Sequence, residues 1–178
     1  MNHISVAEPG QLSESELDAA EALVRSSFGE SFRGHDWLHA VGGVHVMIWD
    51  GDSLVAHAGV VPRTLQYRDA TLDAGYVEAV AVHSDRRGSG LGAVVMDWAE
   101  SIIRTRHDLG ALNAVESAAG FYAARGWEPW TGPTQALTPD GRVDTYDAAD
   151  LIFVLPTGCG GLDASGVLTC DWRVGDLW

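Results

Sequence analysis

The feature that most constrains the fold is an apolar run that breaks into a glycine-rich turn just before a helix-like run. Residues 77–92 read VEAVAVHSDRRGSGLG, with glycines at every second position, Gly88, Gly90 and Gly92. Beyond Gly92, apolar residues recur at spacings of three and four, which predicts an amphipathic helix. A strand that turns directly into such a helix indicates a domain in which helices pack on a sheet.

The backbone of this turn carries no bulky side chains, so several N–H groups can point toward one position. The dipole of the following helix adds partial positive charge there, and a phosphate or pyrophosphate fits such a place. Arg87 can add a guanidinium. The turn lacks the Lys-Ser/Thr pair of a P-loop, and its glycine spacing differs from the dinucleotide-binding pattern. The pattern alone leaves open a turn with a structural role only.

Charge narrows the class of partners. Acidic residues outnumber Lys and Arg by 25 to 11, for a formal net charge of −14, which repels nucleic acid and favours cationic ligands. No apolar run has the length of a membrane span and no secretory signal is visible, so we expect a cytoplasmic protein without a membrane or nucleic-acid partner. The length predicts a single domain over residues 1–178, and Cys159 and Cys170 are interpreted as buried thiols.

The rest of the chain predicts helices and strands in the order αββββαβαββ. The first helix is expected over 13–28, with Ser13 as its cap and Glu16 three residues on. Turn signals at 50–52 and 69–70 separate the early strands, Asn113 is expected to cap the helix that ends at Gly126, and 150–156 and 166–172 give two late strands. Runs of strands followed by alternation favour a mixed α+β domain with one central sheet.

Arg87–Gly92 fits the R/Q-x-x-G-x-G/A pattern and resembles the coenzyme A motif of the GNAT superfamily of N-acetyltransferases, and SAAGFYAARGW resembles its second cofactor motif. DWLHAVGGVHVMIWD, FYAARGWEPWTGPT and CDWRVGDLW further resemble the aminoglycoside 2'-N-acetyltransferases of actinobacteria. The resemblance implies acetyl-CoA as cosubstrate. It also implies a homodimer, which is common in that family. It also implies a mostly antiparallel sheet that splays between its fourth and fifth strands, with helices on both faces.

Acetyl transfer to an amine needs a base, an oxyanion site and a proton for the leaving thiol. Glu78, a carboxylate within an apolar strand, is the candidate base, with an outward-facing strand residue as the alternative. Tyr122 is the candidate acid, with a core aromatic as the alternative, and Phe121 is the more natural core residue. The resemblance places coenzyme A against the backbone of the strand and turn, with these expected contacts: Val80, Ala81, Val82, Arg87, Gly88, Ser89, Gly90, Leu91 and Gly92.

A polycationic sugar calls for converging carboxylates. The resemblance implies substrate contacts from Asp36, Asp176 and the terminal carboxylate of Trp178, which is also an alternative base. Asp147 or Asp150 can supply one more carboxylate. The two tryptophans of CDWRVGDLW predict a docked tail rather than a frayed one. Where relatives have a substrate-contacting aspartate, this chain has Ser31, with Glu30 shifted by one position.

Together these features predict an acetyl-CoA-dependent enzyme that acetylates the 2'-amino group of cationic aminoglycosides of the gentamicin, tobramycin or kanamycin B type, conferring resistance. One alternative is the same chemistry on another small amine, such as a polyamine, amino sugar or metabolite. Another is a non-catalytic acyl-CoA-binding module.

The spacing of His35 and His39 resembles that of a zinc-binding motif. Asp36 stands in place of the glutamate of that motif and glycines lie on both sides of the segment, so no metal site is predicted.

Overall fold

The computed structural model describes residues 2–158 and 160–178, so the predicted burial of Cys159 lies outside the described residues. The chain divides into two compact units. The first comprises Met1–Val61 and Val77–Ile102, and the second comprises Pro62–Tyr76 and Ile103–Trp178. Two long strands and one helix therefore contribute residues to both units.

The first unit combines antiparallel strands with three helices. Its elements are β1 (Asn2–Ala7), α1 (Glu14–Phe28), α2 (Gly34–Val41), β2 (Val44–Asp50), the start of β3 (Ser53–Tyr67), the end of β4 (Ala70–Val82) and most of α3 (Leu91–Arg106). β2 pairs antiparallel with both β1 and β3. Gly51 turns the chain between β2 and β3 with a φ of 59°, as the signal at 50–52 predicts.

Helix α1 begins where its sequence predicts. The backbone N–H of Glu16 donates to Ser13 Oγ at 3.3 Å, and the N–H of Ser13 donates to Glu16 Oε2 at 2.9 Å, which is a reciprocal capping box. Apolar side chains of α1 then pack with those of α2 and the neighbouring strands in one buried cluster: Ala7, Ala20, Leu23, Val24, Trp37, Ala40, Met47, Leu54 and Ala81.

Two elements of this unit were not predicted, β1 and α2. Most of β1 is exposed or only partly buried, so it carries little of the apolar alternation that marks a strand. α2 has eight residues and lacks a Ser or Thr at its start. Its cap comes from within the helix, because Asp36 Oδ2 accepts a hydrogen bond from the backbone N–H of Arg33 at 2.7 Å.

The second unit is built on a mixed sheet. Its further elements are β5 (Leu109–Asn113), α4 (Ala119–Ala124), β6 (Glu128–Pro129), β7 (Thr134–Thr138), β8 (Gly141–Asp144), β9 (Ile152–Pro156) and β10 (Leu168–Cys170). The strand order is β6-β9-β5-β4-β3-β10-β7-β8. β4 with β5 and β7 with β10 are parallel, whereas β5 with β9, β6 with β9, β3 with β10 and β7 with β8 are antiparallel.

This sheet confirms the predicted mixed α+β class. The pairing of β4 with β5 joins Ala74–Tyr76 to Leu109–Ala111, three residues on each side, although β4 has 13 residues and β5 has five. So short a pairing agrees with the predicted splay between these two strands. No helix of the described residues is both long enough and apolar enough to cross a membrane.

The predicted cap at Asn113 is wrong. Asn113 is the last residue of β5, and its side chain instead donates to Asp150 Oδ1 at 2.8 Å and accepts from the N–H of Leu151 at 3.0 Å. α4 begins six residues later, after a short 3-10 turn at Glu116–Ala118. Its predicted end is confirmed, because Gly126 follows it with a φ of 87°.

Candidate active site

The glycine-rich turn has the geometry that its sequence predicts. Gly88 and Gly90 have φ values of 73° and 85°, which only glycine adopts without strain. A Cβ at either position would meet nothing within 4 Å, so the conformation and not crowding requires glycine there. The N–H of Val94 donates to the carbonyl of Gly90 at 3.1 Å, and the turn therefore leads straight into the N-terminus of the 16-residue helix α3. Its exposed backbone and the helix dipole form a place suited to an anion.

The two arginines before the turn differ in their partners. Arg86 forms an ion pair with Asp50 at the end of β2. Arg87 is exposed, and its Nε donates to the carbonyl of Val82 at 3.4 Å. The ion pair ties the loop to the sheet of the first unit, while Arg87 remains the arginine at the predicted pyrophosphate position.

Glu78 lies partly buried in β4, next to a residue with an irregular backbone. Ala79 has a φ of 54°, in the left-handed region that an alanine in a strand rarely adopts. Such a conformation interrupts the regular alternation of side chains along β4. The resemblance implies a bulge near Val80 and Val82 that leaves backbone N–H groups free for the thioester, and the backbone at Ala79 agrees with it.

Tyr122 is buried and belongs to an aromatic group of the second unit. Its ring packs edge to face on Trp127, with centroids 6.1 Å apart, and lies 6.2 Å from the ring of Phe153. Phe121, by contrast, is exposed on 37% of its surface, so the expectation that Phe121 is the core aromatic of this helix is wrong. The acid function of Tyr122 stays a prediction.

Three carboxylates of the second unit interact electrostatically. Burial raises the pKa of Asp150, and repulsion from Asp147 and Asp176 raises it further, while the hydrogen bond from Asn113 acts in the opposite direction. The N–H of Asp150 also donates to the carbonyl of Asp147 at 3.1 Å. We call Asp147, Asp150 and Asp176 the acidic triad. Carboxylates that repel each other in this way are stabilised by a cation placed among them.

The predicted docking of the tail is confirmed for Trp178, which is buried in the core of the second unit. Its indole Nε1–H donates to Thr145 Oγ1 at 2.7 Å. Trp172 differs from this expectation, because half of its surface remains exposed. The tail is therefore docked through Trp178, whereas Trp172 is partly in contact with solvent.

Arg63 holds this tail, and the sequence analysis did not single it out. Its side chain is buried, Nη1 donates to the carbonyl of Leu177 at 2.7 Å, and Nε donates to Asp171 Oδ1 at 2.8 Å. The guanidinium also lies over the ring of Tyr76, 4.8 Å from its centroid. Strand alternation gives a signal for it, since Arg63 shares a face with the buried Leu65 and Tyr67.

Asp36 and the segment before it belong to the first unit. Besides capping α2, Asp36 lies with Oδ1 3.3 Å from Nε2 of His35. His35 and His39 lie one helical turn apart in α2, with ring centroids 5.7 Å apart. Glu30 is exposed in the 3-10 turn Gly29–Ser31.

Comparison with known proteins agrees with this architecture. Residues 8–130 match the acetyltransferase (GNAT) domain. The chain is 47% identical over 164 residues, covering 90% of this chain and 84% of the relative, to an aminoglycoside 2'-N-acetyltransferase of Mycolicibacterium fortuitum. Escherichia coli ElaA has a similar fold, with a TM-score of 0.64, 19% identity, and 87% of this chain and 99% of that chain covered. The E. coli GNAT N-acetyltransferase YhbS, solved in complex with CoA, also has a similar fold. Its TM-score is 0.66 at 14% identity, and the match covers 95% of this chain and 89% of that chain.

The chain therefore belongs to the GNAT family of acetyltransferases. It is an N-acetyltransferase, and its cosubstrate is acetyl-CoA, as in the rest of that family. The glycine-rich turn suits this cosubstrate on its own geometry, because it offers an exposed backbone at a helix N-terminus for the pyrophosphate.

Proposed function

We propose that the protein transfers the acetyl group of acetyl-CoA to the 2'-amino group of aminoglycosides. One observation of the structure supports this substrate class above all: the acidic triad, in which burial raises the pKa of Asp150 and the nearby carboxylates of Asp147 and Asp176 raise it further. A polycation relieves that repulsion, whereas a neutral or anionic acceptor does not. The 47% identical relative with this activity supports the same substrate.

The donor is bound by the turn before α3. The pyrophosphate of acetyl-CoA accepts hydrogen bonds from the backbone at Gly88–Gly92, and Arg87 adds a charge-assisted contact. Ser89 and Leu91 contribute through their main chain, so their side chains matter little. The backbone of Val80, Ala81 and Val82 lies along the pantetheine arm.

In the transfer step the substrate nitrogen attacks the thioester carbonyl carbon. The new C–N bond forms, the C–S bond breaks, and no covalent enzyme intermediate is needed. Glu78 accepts the amine proton directly or through a water molecule, and the N–H of Val80 stabilises the oxyanion. Tyr122 donates the proton that the departing coenzyme A thiolate takes up.

The acceptor is bound by carboxylates. Asp147, Asp150 and Asp176 pair with its ammonium groups, and Asp36 supplies a further contact after giving one oxygen to its helix cap. The resemblance assigns the terminal carboxylate of Trp178 to the acceptor as well, as a ligand or as an alternative base. Arg63 keeps that end of the chain in place.

Three broader expectations accompany this proposal: aminoglycoside resistance, a cytoplasmic location and a homodimer. The alternative acceptor within the same chemistry is another small amine, such as a polyamine. An enzyme for polyamines would also use the acidic triad, but its activity would not depend on the group at the 2' position of a sugar.

The test is release of coenzyme A with two substrates that differ at one position. Kanamycin B has an amine at the 2' carbon and kanamycin A has a hydroxyl, so only kanamycin B should be turned over. Spermidine serves as the control for a general polyamine acetyltransferase. Equal turnover of both kanamycins, or faster turnover of spermidine than of kanamycin B, would contradict the proposal.

A further inference from the structure

Two histidines are hydrogen-bonded to each other inside the first unit, and the proposed mechanism does not use them. His45 Nδ1 and His57 Nε2 are 2.9 Å apart, and both residues are at most 1% exposed. We call them the histidine pair. Polar side chains so fully buried are uncommon unless each ring nitrogen has a partner.

The sheet register brings the pair together. His45 lies opposite Gly59 and Met47 lies opposite His57, so the two histidines are diagonal neighbours on adjacent strands. The ring of Trp37 covers both, with centroids 6.1 Å from His45 and 5.9 Å from His57. The rings are therefore held by packing as well as by hydrogen bonds.

Backbone carbonyls lie at both ends of the pair. His57 Nδ1 is 2.8 Å from the carbonyl oxygen of Ala79, and His45 Nε2 is 3.3 Å from that of Val41. The three contacts need three protons, but two neutral imidazoles carry only two. Neither the contact with Ala79 nor the one between the two rings can be the unmet one, because a lone pair would then face a carbonyl oxygen at 2.8 Å or another nitrogen lone pair at 2.9 Å. Both histidines therefore carry their proton on Nδ1, and His57 donates to Ala79.

The bond from His57 fixes a peptide group that the proposed chemistry uses. The carbonyl of Ala79 and the N–H of Val80 belong to the same planar trans peptide, so they point in opposite directions. Holding the carbonyl oxygen from one side sets the direction of the N–H on the other. Ala79 also has a strained φ of 54°, a conformation that persists only where the surroundings hold it.

We propose that His57 is a positioning residue for acetyl transfer, which aims the Val80 N–H at the thioester oxygen through its hydrogen bond to the Ala79 carbonyl. His45 supports it by donating to His57 Nε2 and so fixing its tautomer. This inference rests on the proposed function of the Val80 N–H. It does not place His57 in contact with either substrate.

Two amide substitutions at one position separate the contacts of His57. In His57→Asn the amide lies near the place of Nδ1 and can still donate to Ala79. In His57→Gln it lies near the place of Nε2, which keeps the contact with His45 and removes the one with Ala79. We expect His57→Gln to lower kcat by about 10- to 100-fold, less than the loss of an oxyanion donor itself. KM for kanamycin B should change little, and His57→Asn should recover most of kcat.

A control for lost packing is Val46→Ala, at a fully buried residue of β2 whose side chain alternates to the opposite face of the strand from His45. It should lower stability and leave kcat near that of the wild type. Equal kcat in the Asn and Gln variants, or a loss in Val46→Ala as large as in His57→Gln, would overturn the inference and leave His57 as core packing.

The wild-type protein gives a second test that needs no variant. Nitrogen chemical shifts of His57 should show a proton on Nδ1 and none on Nε2 at neutral pH. The opposite tautomer would overturn the proposal. Absence of coenzyme A release by the wild type would instead contradict the proposed function, so the two failures are distinguishable.

Discussion

Arg63 Nη1 donates a hydrogen bond of 2.7 Å to the carbonyl oxygen of Leu177, a residue 114 positions later in the chain. The same guanidinium bonds both the carboxylate and the carbonyl of Asp171. One buried arginine therefore fixes the tail at two points. Because Trp178 follows directly, this contact determines where the last side chain of the sequence lies.

Replacing Arg63 should release the tail. In Arg63→Met the carbonyl of Leu177 loses its guanidinium donor and keeps the weak contact of 3.5 Å from Cys170 Sγ. We expect a loss of about 1–3 kcal/mol in the free energy of unfolding, because Asp171 is partly exposed and can be solvated. Arg63→Lys keeps the charge without the planar fork and should recover little. Urea unfolding measures the loss of stability, and limited proteolysis should cleave the variant within residues 171–178. An uncleaved tail in Arg63→Met would contradict this account.

The two tryptophans of the tail provide a matched pair. Trp178 is buried and donates to Thr145, whereas Trp172 is half exposed. Trp178→Phe should therefore destabilise the protein by about 2 kcal/mol through the lost hydrogen bond and volume. Trp172→Phe should change stability by less than about 0.5 kcal/mol. Thermal and urea unfolding compare the two, and equal losses would show that the tail is not docked at its end.

The charge of Asp150 should destabilise the folded protein and strengthen substrate binding. Its raised pKa means that ionisation disfavours the folded state, so its contribution to stability is lost as pH rises through the folded pKa. Asp150→Asn should consequently be modestly more stable than the wild type at pH 7, with the difference vanishing near pH 3. KM for kanamycin B should rise by about 10-fold or more, because a charge-assisted contact is lost.

The control for Asp150→Asn is Asp140→Asn, at an exposed residue of the β7–β8 turn. It removes the same formal charge and should leave KM nearly unchanged. A similar rise in KM for both variants would indicate that net charge, and not the acidic triad, attracts the substrate.

Buried His57 should make stability sensitive to mild acid. Burial lowers the pKa of His57 to about 4, with smaller effects from the Ala79 carbonyl and from His45. The neutral folded form therefore contributes stability above the unfolded pKa of about 6.5, and this is lost as pH falls toward 4. At pH 5 the loss from His57 is about 2 kcal/mol relative to pH 7.5.

This sensitivity is measured by urea unfolding at pH 7.5 and pH 5 for the wild type and His57→Asn. Burial also lowers the pKa of His45, so the variant should keep part of the dependence. A wild type and a variant with equal losses between the two pH values would contradict the assignment to His57.

Local patterns were enough to predict the elements that carry their own signals. The capping box at Ser13 and Glu16 located α1, and the glycines at 88 and 90 located the turn before α3. The mixed sheet followed from the order of these elements. The prediction for Asn113 was wrong because an asparagine side chain can form hydrogen bonds at the end of a strand as well as at the start of a helix. Here it bonds Asp150 and the N–H of Leu151.

Long-range contacts could not be predicted in this way. Arg63 meets Asp171 and Leu177 across more than 100 residues, and His57 meets Ala79 across a β-strand register that a single sequence does not specify. Both residues do carry a weak signal, a polar side chain in an otherwise apolar strand. That signal indicates that the side chain has a hydrogen-bonding partner, but the sequence alone does not identify the partner.

The most direct test of the account is calorimetric titration of acetyl-CoA into the wild type, Gly90→Ala and Gly10→Ala. Gly90 and Gly10 have φ values of 85° and 78°, and neither has an atom within 4 Å of a built Cβ, so both substitutions strain the backbone similarly. We predict binding by the wild type, affinity about tenfold weaker in Gly90→Ala, and no change in Gly10→Ala. No binding by the wild type at millimolar acetyl-CoA, or equal weakening in both variants, would contradict the account.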